Sequence, residues 1–159
     1  MKSRHSNVLA WLLNPIENHQ LRDYLLRKFL EHLILIEENS DNPQLNQVEK
    51  ILDYSLMDCH VYREVKTDKY RFLDLLIVNQ QYKYVIIIEN KFYATESKNQ
   101  LNDYLSFIEN TFHNFTIIPV YLTFDGEEPS NSNYFILIYE RIESILQTIP
   151  KFNHEQIKS

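Results

Sequence analysis

Two short apolar runs in this chain carry charges that buried strands rarely tolerate. Residues 71–78 read Arg-Phe-Leu-Asp-Leu-Leu-Ile-Val, and residues 85–92 read Val-Ile-Ile-Ile-Glu-Asn-Lys-Phe. Both runs are short and rich in β-branched residues, and polar turn residues lie between them. Each therefore predicts a buried β-strand. Asp74, Glu89 and Lys91 fall inside these runs. An unpaired charge is costly to bury, so the three need one another or a metal ion.

A hairpin turning at Gln81-Tyr82 sets Val78 opposite Val85, and the same register sets Asp74 opposite Glu89. Side chains alternate along a strand, so Glu89 and Lys91 emerge on one face. Asp74 joins them in this register only; a slip of one residue sends it to the other side. Two carboxylates directly opposite destabilise a strand pair. A divalent cation between them reverses that sign, and an adjacent lysine offsets part of it. Two readings follow: a metal site, or a buried ion network in which Lys91 neutralises the carboxylates without catalysis.

The single glycine, Gly126, excludes several chemistries. Walker loops, dinucleotide fingerprints and glycine-flanked nucleophile elbows all need more than one. An enzyme here must build its site from side chains, with or without a metal. The 159 residues, 44% hydrophobic, suffice for one domain with a core. No run approaches the length of a membrane span. The basic start leads into a short apolar stretch, Val8–Leu13, halted at Asn14-Pro15, which does not read as a signal peptide. Cys59 has no second cysteine for an internal disulfide or a thiolate zinc site, so a reducing cytoplasm is expected. The net charge of −6 runs against a strong nucleic-acid binder unless a local basic patch or a bound metal outweighs it.

Along the chain, apolar spacing predicts helices over 6–13 and 19–37, then a polar loop over 38–47. Residues 48–56 read as one or two helical turns. A strand over 59–66 precedes the two charged strands. A helix over 97–112 carries Leu101, Tyr104, Leu105, Ile108 and Phe112 on one stripe. A strand over 116–124, a turn over 125–130, a strand over 134–139 and a helix over 142–149 complete the order. Strand, helix and strand across 84–124 predict a crossover between parallel strands. The expected fold is a single α/β domain over 1–159, with N-terminal helices in 1–40, a core over 58–150 and a mixed sheet flanked by helices.

This α-β-β-β-α-β order, with Asp74 on one strand and Glu89-x-Lys91 on the next, resembles the restriction-endonuclease-like core of the PD-(D/E)XK nucleases. Local matches resemble a bacterial family within that superfamily. They are Arg4-His5-Ser6 running into Leu9-Ala10-Trp11-Leu12-Leu13-Asn14-Pro15, then Asn18-His19, Glu89-Asn90-Lys91, Glu96, Asn99-Gln100-Leu101 and Tyr104. Val120-Tyr121-Leu122-Thr123, Gly126 and Tyr139 follow. The resemblance implies that Asp74, Glu89 and the main-chain carbonyl of Asn90 hold a metal. It implies that Lys91 orients or deprotonates the attacking water or stabilises transition-state charge. Gln100 and Tyr104 match the Q-x-x-x-Y element, which implies contact with the phosphate or nucleotide end. Mg²⁺ suits oxygen ligands and keeps waters, and Mn²⁺ accepts the same donors.

There are departures from the pattern. Leu73 stands where the name-giving proline falls, and an acidic position ahead of Arg4 falls on Lys2 or Ser3. A third acidic ligand is then missing, supplied by Glu64, or lost with a trimmed segment. The simpler reading of Glu64 is a surface strand carboxylate paired with Arg63 or Lys66. Gln100 also completes a capping box with Ser97, a structural task compatible with the first. His5 and His19 lie near helix ends, where caps explain most histidines. Trp11 and the tyrosines read as core. Arg63, Lys66, Lys69 and Arg71 form a basic patch for a phosphate backbone, with Lys69 and Arg71 nearest the Asp74 strand, or else an ordinary solvated hairpin end.

The implied function is a Mg²⁺-dependent nuclease acting on DNA, of a kind that serves phage defence and often works as a homodimer. The alternatives are a catalytically silent binding or regulatory module of the same fold and a fragment of a larger defence protein.

Overall fold

A computed structural model of the chain describes residues 2–91, 96–97 and 99–149, with side chains described from residue 6 onward. Phe92, at the end of the second charged run, and the side chain of His5 therefore lie outside the described residues. The elements run α1 (Lys2–Leu13), α2 (Tyr24–Leu35), a 3-10 turn (Glu37–Asn39), α3 (Leu45–Ile51), β1 (His60–Lys66), β2 (Phe72–Asn79) and β3 (Tyr84–Lys91). They continue with α4 (Gln100–Thr111), β4 (Thr116–Thr123), β5 (Phe135–Ile138) and α5 (Tyr139–Gln147).

The five strands form one mixed sheet in sequence order. β1, β2 and β3 are an antiparallel meander. β4 lies parallel to β3, as the crossover through α4 predicts, and β5 lies parallel to β4. Leu75, Ile77, Ile86 and Ile88 pack with Leu9, Leu25 and Phe29 from α1 and α2, while Leu76, Val78, Val85 and Ile87 pack with Leu101, Tyr104 and Ile108 of α4. Helices cover both faces of the sheet, which is why β3 reads as continuous apolar sequence rather than alternating. The fold is the α/β, restriction-endonuclease-like arrangement expected.

Several boundaries differ from the sequence reading. The helix expected from residue 19 begins at Tyr24, because Gln20 (φ 61°) and Arg22 (φ 55°) take left-handed conformations that interrupt it. α1 starts earlier than residue 6, α3 begins at Leu45 inside the expected loop, and α5 begins at Tyr139. With one glycine available, left-handed turns fall to other residue types, among them Lys83 between β2 and β3 and Tyr70 between β1 and β2. Each exposes its side chain there.

The predicted hairpin register holds: Val78 pairs with Val85, and the ladder runs to Leu75 with Ile88. On the other side, β1 pairs Arg63 with Leu75 and Val65 with Leu73, which flank Glu64 and Asp74. Glu64 has φ 51°. Leu75 belongs to the cluster under α1 and α2, yet Leu73, two residues earlier, belongs to the cluster under α4. The pleat is thus interrupted at Asp74. Such distortions re-aim side chains and are frequent beside functional sites.

Candidate active site

The charged residues gather where β2 begins and β3 ends. Asp74, Glu89, Asn90 and Lys91 are all buried, Glu89 completely. Lys91 Nζ lies 3.3 Å from Glu89 Oε1 and donates to Gln100 Oε1 at 2.6 Å. Gln100 Nε2 approaches Tyr104 Oη at 2.9 Å, and that hydroxyl donates to the Phe72 carbonyl at 3.0 Å. Gln100 and Tyr104, one helical turn apart on α4, share the face turned to the sheet. A continuous line of contacts therefore runs from Glu89 through Lys91, Gln100 and Tyr104 to the backbone of β2.

Asp74 meets β3 differently from the simple extrapolation of the register. Its Oδ2 accepts the backbone N–H of Asn90 at 2.7 Å. The Asn90 side chain turns the other way, and its Oδ1 accepts from Tyr139 at the start of α5 at 2.6 Å. Burial, more than the opposing hydrogen bond to Asn90 or the charge of Asp74, holds the Tyr139 phenol well above its usual range, so it stays a neutral donor. Burial likewise raises Tyr134, with the charge of Glu89 adding to it. It raises Tyr121 too, where Glu96 contributes next. The phenols around the carboxylates therefore bring no further negative charge at neutral pH.

Among the described residues, no cluster of three or more His, Cys, Asp or Glu side chains is positioned for a metal. The donor chemistry still fits a hard divalent cation: two carboxylates on adjoining strand ends suit an ion that takes one or two carboxylates and keeps its waters. Glu64 is exposed, 3.9 Å from Arg63, at the position across from Asp74.

The other sequence candidates separate clearly. Gln100 performs half of the expected capping box, accepting the Ser97 N–H at 3.3 Å on the oxygen that also receives Lys91. Tyr104 is 1% exposed, which suits a positioning part better than direct contact with a phosphate. Lys69 and Arg71 both reach Asp103 of α4, at 3.5 and 3.8 Å. His19 is buried and caps the turn after α1, with Nε2 3.0 Å from the Asn14 carbonyl and Nδ1 accepting the Leu21 N–H at 3.0 Å. Trp11 is 39% exposed and donates to Asn18, so it is a rim residue rather than the core residue expected. Tyr139 is the site neighbour whose role sequence reasoning missed; it entered only as a resemblance, because nothing local in sequence ties it to Asn90.

The residues stand at the carboxyl end of the parallel pair β3 and β4, with Lys91 beside Thr123. Ligands of open α/β sheets characteristically bind at such ends. A groove of about 650 Å³ lined by Gln44, Leu105, Phe115 and Pro119 lies at the opposite end of β4 and holds none of these side chains.

The match to the family model covers residues 1–158, so the chain belongs to the PD-(D/E)XK nuclease superfamily. Neither the curated proteins nor the solved structures contain a match to it. Membership carries the expectation of a nucleic-acid substrate and, for nucleases of this superfamily in general, of divalent metal ions. No helix among the described residues is long and apolar enough to cross a membrane.

Proposed function

We propose that this chain is a Mg²⁺-dependent deoxyribonuclease that hydrolyses phosphodiester bonds by in-line attack of water. Asp74 and Glu89, with the main-chain carbonyl of Asn90, would hold the cation, and Mn²⁺ suits the same donors. Such a cation supplies Lewis-acid polarisation of the phosphate and a lowered pKa for the water beside it. Lys91 is a compact point charge placed to orient that water or to stabilise charge developing on the phosphate. Gln100, held by Tyr104, fixes where the ammonium points. The observation that carries this reading is the contact of Lys91 with both Glu89 and Gln100 in a buried setting, beside the fixed carboxylate of Asp74.

Supercoiled plasmid incubated with the protein and Mg²⁺ tests it. Nicking or linearisation that EDTA abolishes, and that Asp74→Asn lacks, supports the reading. Plasmid, single-stranded DNA and tailed duplex all left intact by folded, metal-loaded protein remove it. The second reading is a catalytically silent module of the same fold. It draws on the pairing of Lys69 and Arg71 with Asp103, which occupies two nearby cations with an internal partner.

A further inference from the structure

We propose that the tip of the β1–β2 hairpin, Thr67 to Phe72, is a subsite for an unpaired nucleotide, with the base stacking on Tyr70 and Phe72. This rests on the nucleic-acid reading above and narrows it to substrates with a single-stranded end, flap or gap.

Four tyrosines of this chain, Tyr84, Tyr104, Tyr121 and Tyr134, are core residues no more than 2% exposed. Tyr70 is 81% exposed and Phe72 56% exposed. Tyr70 is the most exposed of the described large apolar side chains, ahead of Phe124 at 62% and Tyr62 at 50%, and here the sequence expectation that the tyrosines are core fails. Tyr70 also holds φ at 59°, a conformation that a bulky side chain adopts at a cost.

Hydrogen bonds within the turn hold the backbone that presents the ring. Thr67 N donates to the Arg71 carbonyl at 2.8 Å, and Tyr70 N donates to the Thr67 carbonyl at 3.3 Å. The Thr67 hydroxyl, itself buried, accepts from the Lys69 and Arg71 N–H groups. A turn held by its own hydrogen bonds has less entropy to lose when a ligand arrives.

Charge complements the rings. Between Arg63 and Phe72 the sequence places four cations against two carboxylates, in a chain of net charge −6. Lys66 Nζ sits 4.9 Å from the Tyr70 ring centroid. The ion pairs of Lys69 and Arg71 with Asp103 brace the hairpin against α4. The Phe72 carbonyl receives the Tyr104 hydroxyl, so the hairpin joins the line of contacts that ends at Lys91.

Aromatic rings beside cations suit a single strand, whose bases can leave their neighbours and stack on protein. The base faces of an intact duplex are already covered. A duplex would meet the cations alone.

The test is binding without metal, so that cleavage plays no part. A single strand of about 15 nucleotides carrying 2-aminopurine is compared with its duplex in EDTA, by anisotropy and base fluorescence. Tyr70→Asn removes the ring while suiting the left-handed backbone, so its melting temperature should match wild type. Tyr70→Trp restores a stacking surface. The expected result is a loss of single-strand affinity of about 5- to 150-fold in Tyr70→Asn, with duplex affinity unchanged and Tyr70→Trp near wild type. Equal loss on both substrates, no loss at all, or a wild type that binds no single strand overturns the subsite. If Tyr70-dependent binding is present while neither plasmid nor a duplex with a single-stranded tail is cut with Mg²⁺, the subsite stands and the hydrolase reading falls. Cleaving wild type with a neutral Tyr70→Asn gives the reverse.

Discussion

Asp74 Oδ2 receives the backbone N–H of Asn90 at 2.7 Å, just beyond the last assigned rung of the β2–β3 ladder, Leu75 with Ile88. The carboxylate thus substitutes for a main-chain acceptor at the point where the two strands part. It is anchored by backbone rather than by a mobile side chain, which is how a metal ligand keeps its direction.

Asp74→Asn should preserve this anchor, since an amide oxygen accepts the same N–H, yet remove one negative charge from the proposed cation site. Wild type with Mg²⁺ at about 100 times its dissociation constant should gain about 2.7 kcal/mol, or about 5–10 °C in melting temperature. EDTA should abolish the gain, and Asp74→Asn should show little of it. Equal stabilisation of the variant would remove Asp74 from the metal site.

Lys91 and Glu89 are a buried pair, and each single substitution strands its partner. Lys91→Met should therefore destabilise the fold by about 3–5 kcal/mol, and Glu89→Gln combined with Lys91→Met by clearly less. Urea unfolding of the single and double variants measures this. Loss of cleavage in a single variant is informative only beside its unfolding curve.

Tyr104→Phe deletes the hydroxyl shared by Gln100 and the Phe72 carbonyl. Leaving the buried Gln100 amide without its acceptor should cost about 1–3 kcal/mol. If Tyr104 positions Lys91 through Gln100, kcat should fall while KM changes little. A change confined to KM would mean direct substrate contact instead.

His19 accepts from Leu21 N–H on Nδ1, so its proton sits on Nε2, facing the Asn14 carbonyl, and the ring is neutral. Burial, above the opposing hydrogen bond to Asn14, lowers its pKa below the usual histidine range. The unfolded chain then binds the proton more readily. The stabilisation is complete above pH about 6.5 and declines as pH falls toward the folded-state value. Urea unfolding between pH 7.5 and about 5 should show this decline, and His19→Gln should flatten it; an unchanged slope in the variant would assign the decline elsewhere.

The charged strands were legible because their pattern is local. Two apolar runs around a polar turn specify a hairpin, and the position of the turn sets its register. Gln100 and Tyr104 were legible as a pair because four residues make one helical turn. Tyr104 reads as a nucleotide contact in the sequence; in the fold it is buried, with its hydroxyl between Gln100 and the Phe72 carbonyl. Lys69 and Arg71 read as substrate cations, yet Asp103, thirty or more residues away in sequence, pairs with both. The start of α2 was misread because apolar spacing continued through Gln20 and Arg22, whose backbone signs spacing does not encode.

Sequence alone determined the order of the elements, the antiparallel pairing of β2 with β3, the parallel crossover to β4 and the residues whose burial demands a partner. These follow from periodicity and from the cost of burying charge, both properties of neighbours along the chain. Tertiary structure alone decided that Asp74 leaves the ladder to take the Asn90 N–H, that Tyr139 closes on Asn90 from α5, and that Tyr70 stands in solvent while four other tyrosines are buried. Those outcomes depend on which side chains from distant segments compete for the same space and hydrogen bonds, and that competition exists only once the chain has folded.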